Sequence, residues 1–277
     1  MILIADGGST KTDWCVVENG QIIKKVVSKG MNPFFQSEEE MGVEIREKLI
    51  PQLDTNRFEN IYFYGAGCTP EKTPIVQKVL SAHFDISGIN EVHTDMLAAA
   101  RGLCGHSPGI VGILGTGSNS CYYDGEKIAA NVSPLGFILG DEGSGATLGK
   151  LLVGDILKNQ TTPELKDKFL TQYNLTPADI IERVYRKPFP NRFLASLSPF
   201  LIENIQVPEI HRLVFNSFLS FFQRNVMQYD YKNYETHLIG SIAYYYQDIL
   251  REAASHSGIR IGRISKSPMD GLVNYHC

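Results

Sequence analysis

Short apolar runs separated by glycine-rich turns open the chain. Residues 1–30 contain three such runs, and Asn19-Gly20 between the second and third is typical of a β-hairpin turn. Ser37 with Glu40 three residues later forms a capping-box pattern, which predicts that a helix begins there. A strand over 61–64, a helix over 70–84, a strand over 91–95 and a helix over 96–103 are predicted next. This alternation predicts an α/β fold with a mixed sheet.

The same order of elements begins again near residue 109. A buried strand over 109–114 ends at a glycine-rich turn, and Asp124-Gly125 marks a second hairpin. Helices are predicted over 147–157, 191–202, 211–227, 243–254 and 269–275, and a short strand over 236–240. Because strand, turn and hairpin recur, we predict two similar lobes with a cleft between them. The N-terminal lobe is set at 1–105, with 263–277 packing back on it, and the C-terminal lobe at 106–262.

Composition narrows the class of protein and its partners. The 277 residues include 43% hydrophobic side chains and carry a net charge of −4, which is typical of a globular chain and argues against nucleic acid as the main partner. The longest apolar stretch, 109–115, is far shorter than a membrane span, and the N-terminus lacks the features of a signal peptide. Five scattered cysteines without a CxxC pattern predict reduced thiols, so we expect a cytoplasmic protein with no membrane partner.

The first candidate site is the turn that follows the first apolar run. Its residues are Asp6, Gly7, Gly8, Ser9, Thr10, Lys11 and Thr12. Glycines let a backbone approach a phosphate closely, while hydroxyls and a lysine add donors. A carboxylate beside phosphate donors suits Mg²⁺, which would make Asp6 a metal ligand. The turn alone is equally well explained as a hairpin turn with a solvated lysine.

A second turn repeats this recipe after the strand over 109–114. It consists of Gly115, Thr116, Gly117 and Ser118. Alone it would be an ordinary hairpin turn, but as one of a pair it suggests a second arm holding the same phosphate chain. Gly240 and Ser241, in a later strand-to-helix turn, offer a small-residue surface for a base or ribose, although such turns commonly contain glycine.

Acidic residues follow two further element boundaries. Asp95 comes at the end of a strand and the start of a helix, so it is either a helix cap or a general base that accepts a proton from an attacking hydroxyl. Asp141 and Glu142 lie between glycines before another helix. Clustered carboxylates of this kind suit the hydroxyl groups of a sugar.

Taken in order, the segments DGGSTKT, TDMLAAARG, GTGSNS, GDEGSGATLGK and GSIA resemble the BadF/BadG/BcrA/BcrD-type ATPase family, and within it the N-acetylglucosamine kinase-like proteins. That family belongs to the actin/hexokinase/Hsp70 superfamily, and the resemblance runs from residue 2 to about residue 275. It implies two ribonuclease-H-like lobes, with mixed sheets flanked by helices and a nucleotide cleft for ATP and Mg²⁺.

The resemblance also implies roles for single residues. Asp6 would lie near the metal, residues 6–12 and 115–118 would form the two phosphate loops, and Gly240 with Ser241 the adenosine turn. Asp95 would be the catalytic base. Sugar contacts would come from Asn32, Asp95, Thr116, Asp141 and Glu142. Ser241 stands where many relatives have a second glycine.

Three functions follow from this resemblance. The first is an ATP-dependent kinase for a hydroxyl of an amino sugar, N-acetylglucosamine or a close relative, acting as a homodimer. The second is an ATPase that activates a dehydratase through an iron–sulfur cluster, for which Cys104 and Cys121 are the candidate ligands to weigh, with buried structural thiols as the alternative. The third is a non-catalytic nucleotide- or sugar-binding regulator.

Overall fold

The computed structural model of the chain describes residues 1–8 and 11–277. Ser9 and Thr10, which belong to the first predicted phosphate loop, lie outside the described residues. The chain divides into two compact units: unit 1 contains 1–107, 125–127 and 267–277, and unit 2 contains 108–124 and 128–266. None of the described helices has the length and apolar character needed to cross a membrane.

The bounds of the elements are as follows. The strands are β1 Ile2–Gly7, β2 Lys11–Glu18, β3 Gln21–Lys29, β4 Arg57–Phe58, β5 Asn60–Gly65, β6 Asp85–Ile86, β7 Asn90–Thr94, β8 Gly109–Leu114, β9 Ser118–Tyr123, β10 Ile128–Val132, β11 Thr236–Ile239 and β12 Ile261–Ser265. The α-helices are α1 Glu38–Glu44, α2 Thr73–His83, α3 Asp95–Cys104, α4 Gly136–Leu139, α5 Gly145–Leu157, α6 Pro163–Tyr173, α7 Pro177–Tyr185, α8 Pro190–Ala195, α9 Ser198–Glu203, α10 Pro208–Arg224, α11 Ser241–Tyr245, α12 Gln247–His256 and α13 Met269–His276.

Unit 1 is built on a five-stranded mixed sheet with the order β3-β2-β1-β5-β7. β2 runs antiparallel to β1 and β3, whereas β5 and β7 run parallel to β1. Successive side chains of a strand point to opposite faces, so Leu3 and Ala5 join the apolar cluster that contains Met41 of α1. Ile4 joins the cluster on the other face, with Leu272 of α13. The sheet is therefore covered on both faces, which explains the continuous apolar run of β1.

Unit 2 repeats the strand order of unit 1. Its sheet runs β10-β9-β8-β11-β12, with β8, β9 and β10 antiparallel and β11 and β12 parallel to β8. The predicted α/β class with two mixed sheets is confirmed. Helices α5, α10 and α12 contribute to the large apolar cluster of this unit, in which Phe218, Phe221 and Phe222 are fully buried.

Two predicted helices are each divided in the structure. The helix expected over 191–202 consists of α8 and α9, and Pro199 at the start of α9 explains the division, because proline has no backbone N–H to continue a helix. The helix expected over 243–254 contains α11 and α12, which meet at Tyr246. The helix predicted from Ser37 is confirmed with its capping box, although its last part continues as a π-helical turn over Ile45–Leu49.

Helix α13 packs directly on α3 in unit 1. A Cβ atom on Gly271 would lie 1.8 Å from the Gly102 carbonyl oxygen, so the two helix backbones are in contact. Further along, the Tyr64 hydroxyl accepts a hydrogen bond from Arg101 at 2.8 Å and shares a second one with His276 Nε2 at 2.8 Å. The His276 ring also stacks on Tyr62 with centroids 3.6 Å apart. These contacts fix α13 to the helix that begins with Asp95.

We expect Gly271→Ala to lower the free energy of unfolding by about 1–3 kcal/mol, because the added methyl group would overlap a backbone carbonyl that cannot move aside. Urea unfolding of the full chain measures the change. Gly154→Ala in α5 is the matched control, since a Cβ there meets nothing within 4 Å. The control should be neutral or stabilising by about 0.5–1 kcal/mol. Equal effects of the two substitutions would contradict the close contact of α3 and α13.

Candidate active site

The carboxyl ends of three parallel strands meet at one edge of the unit 1 sheet. Gly7 of β1 pairs with Gly65 of β5, which pairs with Thr94 of β7. Asp6, the turn after Gly65 and Asp95 therefore lie along the same edge. Ligands of open α/β sheets bind outside the carboxyl ends of the strands. This edge is the candidate active site of unit 1.

The surroundings of Asp6 at this edge disfavour the ionised form of its carboxyl group. Burial, followed by repulsion from Asp13 and Asp95, raises the pKa of the Asp6 carboxyl to about 7, and the attraction of Lys11 offsets only part of this. Carboxylates held close together disfavour ionisation unless a cation joins them. A carboxyl oxygen of this kind fits a magnesium ligand. No group of three or more metal-ligating His, Cys, Asp or Glu side chains occurs among the described residues.

Asp95 is the first residue of α3, but it is not the helix cap. The cap is Thr94, whose hydroxyl accepts the Leu97 N–H at 3.2 Å. The Asp95 carboxylate instead accepts the N–H of Met96 at 2.9 Å and is partly exposed. Burial raises the pKa of Asp95, and the hydrogen bond from Met96 works against that rise. A carboxylate with a raised pKa at the mouth of a site suits proton acceptance.

The rest of the first turn divides into exposed and buried parts. Gly8 and Lys11 are exposed, and Lys11 Nζ lies 2.7 Å from Asp13 in an ion pair. Thr12 is fully buried, and its hydroxyl accepts the Met31 N–H at 3.3 Å. Thr12 therefore ties the turn to the segment after β3, and its hydroxyl is not at the surface where a phosphate would bind.

Asn32 lies at the same edge as Asp6 and Asp95. It is buried, its side-chain oxygen accepts the Phe34 N–H at 2.9 Å, and its own N–H donates to Gln36 Oε1 at 2.7 Å. A Cβ atom on Gly67 would lie 2.4 Å from Asn32 Oδ1, and Gly67 has a φ of +81°. The turn after β5 is thus in contact with Asn32. The sequence analysis did not assign that turn to the site, although its Gly65-Ala-Gly67 pattern matches the other glycine-rich turns.

In unit 2 the turn predicted to bind phosphate and the turn predicted to bind adenosine are in contact. Gly240 has a φ of +114°, and a Cβ atom there would lie 2.3 Å from the Leu114 carbonyl oxygen. The turn after β8 is also fixed on α5, because the Gly115 and Thr116 carbonyls accept the N–H groups of Gly145 and Ala146 at 2.8 and 3.0 Å. Thr116 and Ser241 remain exposed. These residues form a compact edge at the carboxyl ends of β8 and β11.

Asp141 lies against this edge and Glu142 does not. A Cβ atom on Gly117 would lie 2.9 Å from Asp141 Oδ2, and the Ser118 N–H donates to the Asp141 carboxylate. Burial raises the pKa of Asp141 to about 6, and the hydrogen bond from Ser118 opposes the rise. The Glu142 carboxylate instead pairs with Arg224 at 3.0 Å and accepts from Asn225 at 3.4 Å. The two neighbouring carboxylates therefore have different partners, and the role of Glu142 as a sugar contact stays a prediction.

The contact between Tyr245 and Lys266 was not predicted from the sequence. Lys266 follows β12, and its ammonium group donates to the Tyr245 hydroxyl at 2.7 Å and lies 4.9 Å from that ring centroid. Tyr244 and Tyr245 are 42% and 55% exposed and lie in the helix that begins at Ser241. An exposed aromatic–cation pair beside a small-residue turn suits a flat ring. Strand β12, which precedes Lys266, was not predicted because its residues are too polar to form a clear strand pattern.

No protein-family model matches the chain, and no curated protein matches it. Solved structures do. A Porphyromonas gingivalis protein described as a "Putative N-acetylglucosamine Kinase" is 49% identical, with a TM-score of 0.97 over 100% of this chain and 98% of that one. A Chromobacterium violaceum protein of the same description is 17% identical, with a TM-score of 0.78 over 99% and 98% of the two chains. A ROK family glucokinase from Streptomyces griseus, solved with glucose and AMPPNP, is 16% identical, with a TM-score of 0.59 over 99% and 97%.

The two distant structures show the fold alone, which this chain shares with a ROK family glucokinase. The Porphyromonas gingivalis protein is similar enough in sequence, and over enough of both chains, to show more. This chain belongs to the same family as that protein.

We expect Asp6→Asn to raise the free energy of unfolding of the ligand-free protein at pH 8 by about 1–4 kcal/mol. The upper value follows from the rise in the Asp6 pKa from 3.8 to about 7, and the lower value allows for screening by solvent. The folded state disfavours the ionised Asp6 carboxyl, which lowers the stability of the protein. This destabilisation is complete above pH 7, decreases as the pH falls below 7 and vanishes below pH 3.8. Urea unfolding at pH 8 and pH 5 without Mg²⁺ or nucleotide measures this. Asp54→Asn, at an exposed carboxylate, is the control. An equal increase in stability at both pH values would contradict the raised pKa of Asp6.

Proposed function

We propose that this chain is an ATP-dependent sugar kinase, which transfers the terminal phosphoryl group of ATP to a hydroxyl of an amino sugar, N-acetylglucosamine or a close relative. The observation that carries the proposal is the 49% identity, over the full length, with the Porphyromonas gingivalis protein described as a "Putative N-acetylglucosamine Kinase". The finer assignment to the BadF/BadG/BcrA/BcrD-type family rests on the motifs quoted above.

The phosphates of ATP are assigned to the two glycine-rich turns. Gly7, Gly8, Ser9, Thr10 and Lys11 supply the first set of donors, with Thr12 holding that turn in place. The second set comes from Gly115, Thr116, Gly117 and Ser118. Gly240 and Ser241 offer the backbone surface for the adenosine, and Tyr245 with Lys266 the side chains beside the base. Contact between Gly240 and Leu114 supports placing base and phosphates next to each other.

Asp6 is assigned to Mg²⁺. The raised pKa of Asp6 supports this, because the carboxyl lacks an opposite charge that fully offsets its burial and its acidic neighbours. A bound magnesium ion would supply neutralisation of phosphate charge. Phosphate and water oxygens would complete its coordination, since Mg²⁺ usually binds through one or two carboxylates.

Asp95 is assigned as the general base. The sugar hydroxyl oxygen forms a bond to the γ-phosphorus, the bond from that phosphorus to the bridging oxygen breaks, and ADP leaves. The hydroxyl proton passes to the Asp95 carboxylate. Asn32, Thr116 and Asp141 are assigned to the sugar, to hold the reacting hydroxyl in line. Glu142 is retained only as a residue that acts through its ion pair with Arg224, which supports the segment bearing Asp141.

The setting of the reaction follows from the same proposal. We propose a cytoplasmic location, because the reaction needs ATP and because all five cysteines are free thiols. We also propose a homodimer. Exposed apolar side chains in unit 2 support this, because such patches commonly mark contacts between proteins; they are Leu135, Ile138, Leu139 and Leu151.

We expect Asp95→Asn to lower kcat by about 10²-fold or more, because the amide cannot accept the hydroxyl proton. ATP binding should persist, since Asp95 is not among the phosphate donors. Single-turnover phosphoryl transfer and calorimetric titration with ATP separate the two steps. A variant with near-normal turnover would refute the assignment of the base.

ADP release measured across a panel of amino sugars tests the function itself. We expect stimulation by N-acetylglucosamine or a close relative, and a phosphorylated sugar as the product. Steady ADP release that no sugar stimulates would instead support an ATPase of the dehydratase-activator type. Absence of both release and stimulation would support a binding protein without catalytic activity.

A further inference from the structure

The segment that precedes Asp141 is weakly packed. Helix α4, over Gly136–Leu139, has no buried residue, and its Ile138 and Leu139 side chains are 75% and 68% exposed. None of the described side chains caps the start of this helix. A segment that buries so little apolar surface gains little stability from packing. The position of α4 therefore depends on individual polar contacts.

Lys150 of α5 makes such a contact at the end of α4. Its ammonium group donates a hydrogen bond to the Phe137 carbonyl oxygen at 2.6 Å. The last carbonyls of a helix have no partner within the helix and carry partial negative charge, so a cation is favourable there. The Thr147 hydroxyl adds a second bond, to the Gly140 carbonyl oxygen at 3.3 Å. These two bonds join the end of α4 to α5.

The backbone of Asp141 requires support of this kind. Its φ of +55° lies in the left-handed region, which residues other than glycine rarely adopt. Its N–H donates to the Pro134 carbonyl at 3.0 Å, and its own carbonyl accepts the Ser144 N–H at 3.1 Å. A strained residue persists only where its surroundings fix it. Because Pro134 directly precedes the segment of α4, loosening α4 would release one side of Asp141.

The charge of Lys150 also acts on the Asp141 carboxyl group. Burial raises the pKa of Asp141 to about 6, and the hydrogen bond from the Ser118 N–H opposes the rise. Repulsion from Glu142 raises this pKa further, whereas attraction by Lys150 lowers it. Glu142 is itself paired with Arg224. Lys150 therefore favours the ionised form of Asp141, which accepts stronger hydrogen bonds from hydroxyl groups than the protonated form does.

We propose that Lys150 is a positioning residue for the sugar site, which holds the segment bearing Asp141 in place and stabilises the Asp141 carboxylate. The inference rests on the proposed sugar kinase function, in which Asp141 is assigned to the sugar. Lys150 acts through Asp141, and it contributes to neither the general base nor the phosphate turns of that proposal. Its loss should therefore weaken sugar binding more than it slows phosphoryl transfer.

Steady-state kinetics with N-acetylglucosamine between pH 5 and pH 8 test this role. We expect Lys150→Met to raise KM for the sugar by about 10-fold at pH 7 and to change kcat little, because a hydrogen bond from a charged group is lost at the binding site alone. The pH below which the sugar binds weakly should move upward, since Asp141 would become protonated at a higher pH. Lys150→Arg should restore most of both properties. Lys158→Met, at an exposed lysine that ends the same helix, is the matched control and should behave as the wild type.

Carbon NMR of the Asp141 carboxyl group gives its pKa directly, and Asp141→Asn identifies the signal. Lys150→Met should raise this pKa and speed the hydrogen exchange of the Asp141 N–H that is bonded to Pro134. A lysine that only stabilised α5 would leave the carboxyl pKa unchanged. Should Lys150→Met fail to fold, the same measurements on Lys150→Gln decide.

An unchanged KM together with an unchanged pKa of Asp141 would overturn the proposal, as would a variant that merely unfolds more easily. The failure of the kinase function would look different, because no sugar would then stimulate ADP release by the wild type. In that case the NMR pKa and the exchange rate alone decide whether Lys150 positions Asp141. A change in both supports the role, and no change in either refutes it.

Discussion

Negative charge held at the edge of a sheet is the constraint on which the unit 1 site depends. Asp6 and Asp95 reach that edge because β1 and β7 run in the same direction on either side of β5. Burial raises the pKa values of both, and repulsion from Asp13 and Asp95 adds to the rise at Asp6. A cation and a proton are the two natural ways to relieve such repulsion. In the proposed reaction Asp6 would meet the first and Asp95 the second, which gives neighbouring carboxyls different roles.

The second sheet uses the same strand order for a different purpose. Among the described residues, its edge has no acid equivalent to Asp6, and it instead brings backbone surfaces together at Gly240 and Leu114. Asp141 enters from the segment before α5 and lies against Gly117. The repeated strand order thus supplies two glycine-rich turns, and the side chains around the two turns differ.

Much of this arrangement could be predicted from the sequence, because glycine-rich turns after apolar strands are local signals. Thr94 and Asp95 show where such signals stop: both are good caps, and only the coordinates assign the cap to Thr94. Strand β12 and the contact of Lys266 with Tyr245 were not predicted, because both depend on contacts between segments distant in sequence. The starts of helices α6 and α7 also carry a local signal, a threonine followed by proline, which was not used to set their bounds. The different surroundings of Asp141 and Glu142 could not be predicted, since Arg224 is remote in sequence.

The contact between α3 and α13 has a consequence for biosynthesis. Most of unit 1 precedes unit 2 in the chain, yet unit 1 is completed by residues 267–277, which leave the ribosome only after all of unit 2. Because domains tend to fold as they are made, unit 2 can close first while the earlier sheet still exposes the face that α13 covers. The part of the molecule that carries Asp95 is therefore the last to mature, and chaperones would have their longest access to that face.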